Sequence, residues 1–481
     1  MLYLLNFNYD SNKKLSGLVF VFFLMTTFNI MSLAKIYNLI LTIPQFLTVL
    51  YLLFNNKMKD AVLWHFTFVM LSLSVQGTLG MFESKDFLMY NYASVKLIGP
   101  IRASYLINII MLIIIILDNK KHICKQIQLY KLYRVLWIVG GMASIIGILG
   151  LIFHPYYSFP AFLDQIIYMF VVLSSLYILL CNADERMYRC AYYLGLCSII
   201  AGCYASLFGY YFLDVRSLYG IFEIVYTADI VLWSPLLILG ILYEKRLGLV
   251  LSGLVCFLII SSIVLGGKTV FGIVFCLICL IYCLFFDKDV KDKYSKRIII
   301  MRPLIVILFI WFVTFSFKTS DSMTAYKVES AISMFSGNLD DVSRSPYIRI
   351  ASLMNIIHEG LNNIFTFIFG NGYGGYFEDK LNLFANLNLE NGAWHGDDLN
   401  TGRYHSGHDT MVTVPLYNGV LGVILLIKIC ISYLKRIRLN YFCAMAFLWI
   451  LLMFYVNTIY AYSGTFLLFA AHYNLRKYNT I

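Results

Sequence analysis

Charged side chains are scarce in this 481-residue chain, since Asp, Glu, Lys and Arg together make up only 13% of it. A soluble globular protein carries about 25% charged residues, so this composition excludes an ordinary water-soluble enzyme. Prolines number only eight, while 17% of the residues are aromatic, which argues against a disordered or fibrous chain. Hydrophobic residues make up 60% of the chain and its mean hydropathy is +0.76, values typical of an integral membrane protein.

Apolar segments long enough to cross a bilayer follow one another along most of the sequence. A transmembrane helix needs roughly 20 apolar residues, because the hydrocarbon core is about 30 Å thick and an α-helix rises 1.5 Å per residue. The sequence therefore predicts an all-α polytopic membrane protein with about 14 spans, or roughly 12 to 14 if neighbouring segments merge. The predicted spans lie near residues 15–34, 36–54, 61–80, 99–117, 135–153, 165–181, 191–212, 228–243, 247–265, 270–286, 298–316, 410–430, 441–458 and 459–474.

The positions of Lys and Arg orient these spans. One alternating set of connections holds 24 of the 37 basic residues, for example at 288–302 and 435–438. The short connections of the opposite set hold only about six of them. Because cytoplasmic loops carry the excess of Lys and Arg, both termini are expected in the cytoplasm. The net charge of +11 therefore reports orientation in the bilayer, and no nucleic-acid partner is expected.

The first span has an alternative interpretation as a signal peptide, because Ser32-Leu33-Ala34 loosely fits a cleavage site. Its apolar stretch is long for a signal peptide and further spans follow. An uncleaved membrane anchor is therefore favoured.

One connection is far longer than the others. Residues 317–409 form a polar segment on the predicted outer side, with eleven acidic and six basic residues. This large periplasmic loop separates a bundle of eleven spans at 1–316 from the C-terminal spans at 410–481. Loops of this length are usually functional or disordered, and the aromatic residues and helical periodicity here argue against disorder. The soluble chemistry of the protein is expected in this loop.

An amphipathic helix is predicted within the loop from about residue 346. Ser345 is a good N-cap, and Pro346 suits the first helical turn. Apolar residues then recur at helical spacing, so their stripe is expected against the spans or on the membrane surface. The stripe consists of Tyr347, Ile350, Met354, Ile357, Leu361 and Ile364. Arg349 lies roughly 100° from the centre of the stripe, where it either faces a cavity or is simply solvated.

Two glycine-rich turns imitate nucleotide-binding motifs without their context. Gly370–Gly375 fits G-x-G-x-x-G, but no strand is expected before it, so its predicted use is a tight turn where backbone amides approach a ligand or another helix. Gly266-Gly267-Lys268-Thr269 resembles the end of a P-loop, but its apolar outer setting argues against ATP binding. Lys268 in so short a turn needs a partner or an aqueous cavity, unless it snorkels from the helix end.

Two histidines and an aspartate stand together where the twelfth predicted span begins, as His405 and His408-Asp409. With His395 and Asp397 nearby, a zinc site is one alternative, although the spacing matches no standard zinc signature. The other alternative is a histidine that acts on a hydroxyl or a phosphate at the boundary between membrane and water.

The order of these motifs resembles the family of O-antigen polymerases and O-antigen ligases, bacterial membrane glycosyltransferases that use polyprenyl-diphosphate sugars. That family carries a basic residue at the outer end of a mid-chain span, then an arginine-bearing helix and a glycine-rich segment in the large periplasmic loop. A histidine, a small polar residue, nine further residues and Gly-x-x-Gly follow. The corresponding positions here are Lys268, Arg349, Gly370–Gly374, His408-Asp409 and Gly419-Val420-Leu421-Gly422. Lysine replaces the usual arginine at 268, and Asp409 departs from the usual Asn, Ser or Gln.

The resemblance covers roughly residues 260–430 and implies an O-antigen polymerase at the periplasmic face of the bacterial inner membrane. It implies that Lys268 and Arg349 stabilise an undecaprenyl diphosphate leaving group, and that His408 is the general base on the acceptor hydroxyl. The implied partners are the bilayer, lipid-linked oligosaccharides as donor and acceptor, and a chain-length regulator. No metal or other cofactor is expected. The expected substrate-binding residues are Arg344, Arg403, His405, Asp409, Gly372 and Gly374.

Three alternatives stay open at this point. The same motifs fit a ligase, which moves the finished chain to lipid A–core, and a polymerase of capsule or another polysaccharide. The abundance of Ile, Asn, Lys, Tyr and Phe favours a polymerase, because it is the codon-biased composition expected of AT-rich polysaccharide clusters. A flippase or transporter for polysaccharide lipids is the alternative from a different class. It should place ionisable residues at mid-membrane, where His65 is one of few candidates.

Overall fold

The computed structural model describes part of the chain, in two compact units. The described residues are 34–79, 92–93, 95–98, 101–118, 131–182, 344–384, 396–407, 410–435 and single positions between 443 and 469. The first unit comprises Met1–Met111 and Ile178–Tyr326, and the second comprises Leu112–Tyr177 and Lys327–Ile481. The predicted spans that begin near 15, 191, 228, 247, 270 and 298 fall almost entirely outside the described residues. The predicted division of the chain at residues 316 and 409 stays a prediction.

The described residues are mostly helical, as the sequence predicts, with two short antiparallel strand pairs, β1–β2 and β3–β4. The helices are α1 (Ala34–Phe54), α2 (Met58–Leu79), α3 (Ala103–Asp118), α4 (Lys131–Phe153), α5 (Phe159–Asn182), α6 (Arg344–Asn362), α7 (Ile364–Phe369), α8 (Gly396–Thr401) and α9 (Thr410–Leu434). The strands are β1 (Lys96–Ile98), β2 (Ile101–Arg102), β3 (Phe377–Glu378) and β4 (Arg403–Tyr404).

Three of the described helices, α4, α5 and α9, are long and apolar enough to cross a membrane. They coincide with the predicted spans near 135–153, 165–181 and 410–430. Large apolar side chains lie on their outer faces, such as Ile145, which is 62% exposed, and Ile424, which is 55% exposed. A soluble protein rarely leaves so much contiguous apolar surface in water, so these helices identify a membrane protein.

In the first unit, α1 and α2 form a helical hairpin closed by a short turn. Lys57 N donates to Leu52 O at 2.9 Å and Asn56 N donates to Leu53 O at 3.1 Å, with Asn56 at φ 56°. These bonds form a Schellman motif, which satisfies the last carbonyls of α1. α2 is buried on every side from Ala61 to Val69, as expected of a helix in the interior of a bundle.

A polar cluster lies within this buried part of α2. His65 Nδ1 is 2.7 Å from the Tyr92 hydroxyl, and His65 Nε2 is 2.8 Å from Asn108 Oδ1. All three side chains are completely buried. Burying a polar group without hydrogen-bond partners is costly. The contacts with Tyr92 and Asn108 offset this cost for the His65 ring.

Candidate functional site

Helix α6 forms in the large loop, as predicted, and begins at Arg344. The later part of its predicted apolar stripe is exposed, with Met354 at 42% and Leu361 at 71%, whereas Tyr347 and Ile350 are half-buried. The small residues Ala351 and Ser352 on another face are buried. Small residues allow close packing, and α6 contacts both α7 and α9. The helix thus packs against the candidate span α9 with one face and leaves part of its apolar stripe exposed, a combination typical of a helix at a membrane surface.

A hydrogen-bonded network anchors the segment after β3 to α6. Asn355 Nδ2 donates to Asp379 Oδ1 at 2.8 Å, and Leu381 N donates to Asn355 Oδ1 at 3.0 Å. The Asp379 carboxylate also accepts the backbone N–H groups of Leu383 at 2.9 Å and Phe384 at 2.7 Å. The described part of the loop after β3 is therefore held against α6 by hydrogen bonds.

The glycine-rich turn after α7 enters between two candidate spans. Asn371 N donates to Leu416 O at 2.7 Å, and Gly372 N donates to Tyr417 O at 3.1 Å, both carbonyls belonging to α9. Tyr373 N donates to Ala143 O of α4 at 2.9 Å. The α9 carbonyls lie six to seven residues inside the helix, roughly 10 Å from its start. Irregular backbone at such a depth is tolerated where protein groups satisfy it, as they do here.

A break in α9 explains why its carbonyls accept these bonds. Gly419 is at φ 57° and ψ −161°, so the regular helix is interrupted there. In an uninterrupted helix, Leu416 O and Tyr417 O would accept N–H groups four residues later. Asn371 N and Gly372 N take the place of those donors. The glycine-rich turn and the break in α9 therefore complete each other.

Glycine is required on both sides of this contact. Gly372 is at φ 70°, and a Cβ added to it would lie 2.5 Å from Gly147 N of α4. A Cβ added to Gly419 would lie 2.5 Å from Gly370 N. The sequence predicts a turn whose backbone amides approach either a ligand or another helix, and in the structure they approach α4 and α9. The substrate-binding role of Gly372 and Gly374 stays a prediction.

An apolar groove of about 490 Å³ lies beside this crossing, between α6, α7 and α9. Eighteen of the described residues line it, and among these the polar side chains are Thr366, Asn371 and Thr410. On α9 its lining runs from Thr410 to Cys430, which corresponds to roughly 30 Å of helix and so to the thickness of a hydrocarbon core. A groove of this length and chemistry suits one extended hydrocarbon chain. This space is called the apolar groove below.

Two of the predicted catalytic residues, His408 and Arg349, are within four residues of side chains that line the apolar groove. Thr410 lines it and follows His408-Asp409 directly, although 408 and 409 themselves are outside the described residues. Arg349 is exposed and lies four residues before Leu353, a lining residue of α6, so both lie on the same helical face about 6 Å apart along the axis. The α6 side of the groove therefore carries an arginine.

The connection between α4 and α5 packs against the large loop. Ser158 N donates to Gly374 O at 3.0 Å, and the Tyr157 hydroxyl donates to Asn371 O at 2.7 Å. Burial raises the pKa of Tyr157 to about 12, and the nearby Glu359 and Tyr376 add to the shift. The two connections therefore lie at the same end of the helices, as their predicted placement on one side of the membrane requires.

An aromatic and charged surface forms at this end of the helices. The Arg403 guanidinium lies 3.6 Å from the centre of the Tyr156 ring and 5.8 Å from that of Tyr376. Arg403 Nε donates to Glu378 Oε1 at 3.4 Å, where β4 pairs with β3. The pKa of the Tyr376 hydroxyl is raised, first by burial and then by the charge of Glu378.

His405 joins this surface to the loops beneath it. Its Nδ1 is 2.7 Å from Asp398 Oδ1, and its Nε2 is 3.3 Å from the backbone oxygen of Tyr156. The Tyr417 hydroxyl of α9 donates to the backbone oxygen of His405 at 2.6 Å. His405 thus connects α8, the α4–α5 connection and α9, so its ring is already engaged on both nitrogens.

The structure brings together Arg403 and His405 of the predicted site, and it places Arg349 on the face of α6 that lines the apolar groove. Lys268, like His408 and Asp409, lies outside the described residues, and nothing is described of the Arg344 side chain. Sequence reasoning missed Tyr156 and the residues that gather around it. The His154-Pro155-Tyr156-Tyr157 run at the end of a predicted span was the available signal, because aromatic residues concentrate at membrane interfaces.

Within the described ranges, no group of three or more His, Cys, Asp or Glu side chains is arranged to hold a metal ion. The side chains of His395 and Asp397, which the zinc alternative involves, are not among those described. Comparison of the chain with protein-family models, with curated proteins and with solved structures gives no match.

Proposed function

We propose that this chain is an O-antigen polymerase. It would join undecaprenyl-diphosphate-linked oligosaccharide repeat units into a polysaccharide at the periplasmic face of the bacterial inner membrane. The proposed topology has about 14 spans with both termini in the cytoplasm. The order of Lys268, Arg349, the glycine-rich turn, His408 and Gly419-x-x-Gly422 supports this function, as does the membrane character of the described helices.

The apolar groove is the observation that carries the proposal. A glycosyltransferase that uses a lipid-linked donor needs a hydrocarbon site directly beside its polar reacting groups. The groove is lined almost entirely by apolar side chains, and its lining includes Thr410, which immediately follows His408-Asp409. Arg349 lies one helical turn from the lining residue Leu353. An undecaprenyl chain in the groove would therefore hold its diphosphate close to an arginine and a histidine.

In the proposed reaction, an acceptor sugar hydroxyl attacks the anomeric carbon of the donor. The new glycosidic C–O bond forms as the bond between the anomeric carbon and the diphosphate oxygen breaks, and undecaprenyl diphosphate leaves. His408 takes the proton of the hydroxyl as general base. Arg349 binds phosphate oxygens through its fork and Lys268 supplies a compact charge, so both stabilise the charge that develops on the leaving group.

Two adjacent residues of α9 test the role of the groove. Val423 lines it, whereas Ile424 is 55% exposed and does not. Val423→Trp fills the groove and should shorten or abolish the polysaccharide ladder on a gel, while Ile424→Trp should leave the ladder normal. Both variants are compared at equal membrane expression. A normal ladder from Val423→Trp would contradict the groove as the site of the lipid chain.

Deletion of the gene distinguishes the proposed polymerase from a ligase. A product carrying a single repeat unit indicates a polymerase, whereas lipid-linked polymer that never reaches lipid A–core indicates a ligase. His408→Ala and Arg349→Ala should each abolish chain growth at unchanged expression. Normal long chains in both variants would overturn the assignment of these residues.

A flippase for polysaccharide lipids is the second candidate, and the His65 cluster is the observation that favours it. His65 is buried with polar partners on a segment that the sequence predicts to be a span, and a buried ionisable residue in a span is typical of transport pathways. Cytoplasmic accumulation of lipid-linked repeat units in the deletion strain, with loss of flipping after His65→Leu, would indicate this function.

A further inference from the structure

The aromatic and charged surface around Tyr156 has the properties of a binding surface. Tyr156 is 51% exposed even though Arg403 covers part of its ring at 3.6 Å. Tyr376 stands nearly perpendicular to it, with ring centres 6.5 Å apart. An exposed ring beside a second aromatic ring and a fixed guanidinium offers a rigid platform that loses little conformational entropy on binding.

Polar groups on this surface are left available to a ligand. Within the described part of the chain, Arg403 uses only its Nε in a side-chain hydrogen bond, to Glu378, so both terminal nitrogens can still donate. Glu378 retains acceptor positions, and its side chain is 37% exposed. The Tyr156 hydroxyl has no hydrogen-bond partner among the described residues. Donors and acceptors therefore lie side by side next to the rings.

The charge of the surface indicates the class of ligand. Arg403 and Glu378 balance each other, and the negative charge of Asp398, which is hydrogen-bonded to His405, adds to that of Glu378. An anion such as a phosphate or a carboxylate would meet the Glu378 carboxylate as it approached Arg403. A neutral ring with adjacent hydroxyls fits better, because each hydroxyl both donates and accepts, and the C–H face of a sugar packs on an aromatic ring.

We propose that Tyr156, Tyr376, Arg403 and Glu378 form a binding surface for an uncharged sugar residue of the repeat unit. This inference rests on the proposed function and adds a sugar site outside the apolar groove. The loops do not depend on the exposed ring for their attachment. That attachment comes from the Ser158–Gly374 bond, the Tyr157–Asn371 bond and the contacts of His405. The proposed sugar surface therefore lies on the α4–α5 connection and on the loop segments that these bonds attach to it.

The experiment measures two binding reactions on the purified full-length protein in lipid nanodiscs. The first probe is the oligosaccharide released by mild acid from lipid-linked repeat units of the same bacterium, without lipid. The second probe is undecaprenyl diphosphate without sugar. Tyr156→Ala should raise the Kd for the oligosaccharide about tenfold and leave the Kd for the lipid unchanged. Tyr156→Phe, which keeps the ring, should change the oligosaccharide Kd less than threefold.

Phe153→Ala serves as the control, since it removes a ring that is 72% exposed at the end of α4 but lies outside this surface. It should bind the oligosaccharide as the wild type does. Glu378→Gln should weaken oligosaccharide binding, because an amide offers fewer acceptor positions to sugar hydroxyls than a carboxylate does. The inference is overturned if Tyr156→Ala binds the oligosaccharide normally, or if the wild type binds the lipid and not the oligosaccharide. Failure of the wild type to bind the lipid would instead contradict the proposed function.

Discussion

Gly372→Ala tests whether the glycine-rich turn is held inside the helix bundle by direct backbone contact. Its φ of 70° costs an alanine about 1–2 kcal/mol. The added Cβ would lie 2.5 Å from Gly147 N and 2.9 Å from Ala143 O, which are backbone atoms of α4 and cannot rotate away. Displacing them should add about 1–3 kcal/mol, as overpacking does in other cores. The total expected loss is therefore about 2–5 kcal/mol of the free energy of unfolding.

Two other glycines distinguish the cost of the positive φ from the cost of displacing backbone atoms of α4. Gly402 is also at positive φ, 66°, but an added Cβ meets nothing within 4 Å, so Gly402→Ala should lose only about 1–2 kcal/mol. Gly141 lies inside α4 with equal space around it, and Gly141→Ala should be neutral or stabilising by up to about 1 kcal/mol. The free energies come from SDS-induced unfolding in mixed micelles. If Gly372→Ala is no less stable than Gly402→Ala, the turn is not packed on α4 as described.

Three further predictions concern groups around the same contact. Asn418→Ala should lower the free energy of unfolding by about 1–3 kcal/mol in the same assay, because Asn418 Nδ2 donates to the buried Val139 O at 2.7 Å. Burial raises the pKa of Glu359 despite its ion pair with Lys380, so Glu359→Gln should be more stable than the wild type at pH 7, with the difference vanishing below about pH 4. The pKa of Tyr157 is raised to about 12 in the folded chain, so the unfolded chain loses this proton at a lower pH. The free energy of unfolding should therefore fall between about pH 10 and 12. Tyr157→Phe should show a smaller fall over this range when unfolding is measured at increasing pH.

Local patterns in the sequence were sufficient to predict the helices but not their contacts. The spans α4, α5 and α9 follow from uninterrupted apolar length, and α6 follows from the Ser345-Pro346 start and its helical periodicity. Each of these signals is contained within about 20 neighbouring residues. The contact between Gly372 and α9 joins residues more than forty positions apart, and no local pattern specifies which carbonyls a glycine-rich turn will reach. The glycine-rich run at 370–375 therefore predicts a tight turn but does not predict its contact with α9.

The surface around Tyr156 escaped sequence reasoning for a related reason. The chain contains 37 tyrosines, and the aromatic run at 154–157 indicates a membrane interface without showing that Tyr156 stacks on Arg403, almost 250 residues later. In the sequence alone, Asn418 is likewise only the last of the nine residues that separate Asp409 from Gly419. A polar residue inside an apolar span needs a hydrogen-bond partner, which was a usable signal that Asn418 binds another helix.

Chain growth by the purified protein tests the proposed polymerase most directly. Full-length protein in nanodiscs is incubated with undecaprenyl-diphosphate-linked repeat units, and the products are separated by size. The proposal predicts a ladder of products that differ by one repeat unit, with release of one undecaprenyl diphosphate for each bond formed. The ladder should disappear with His408→Ala, be shortened or absent with Val423→Trp, and persist with Ile424→Trp. Repeat units that remain single while the protein binds undecaprenyl diphosphate would contradict the proposed polymerase.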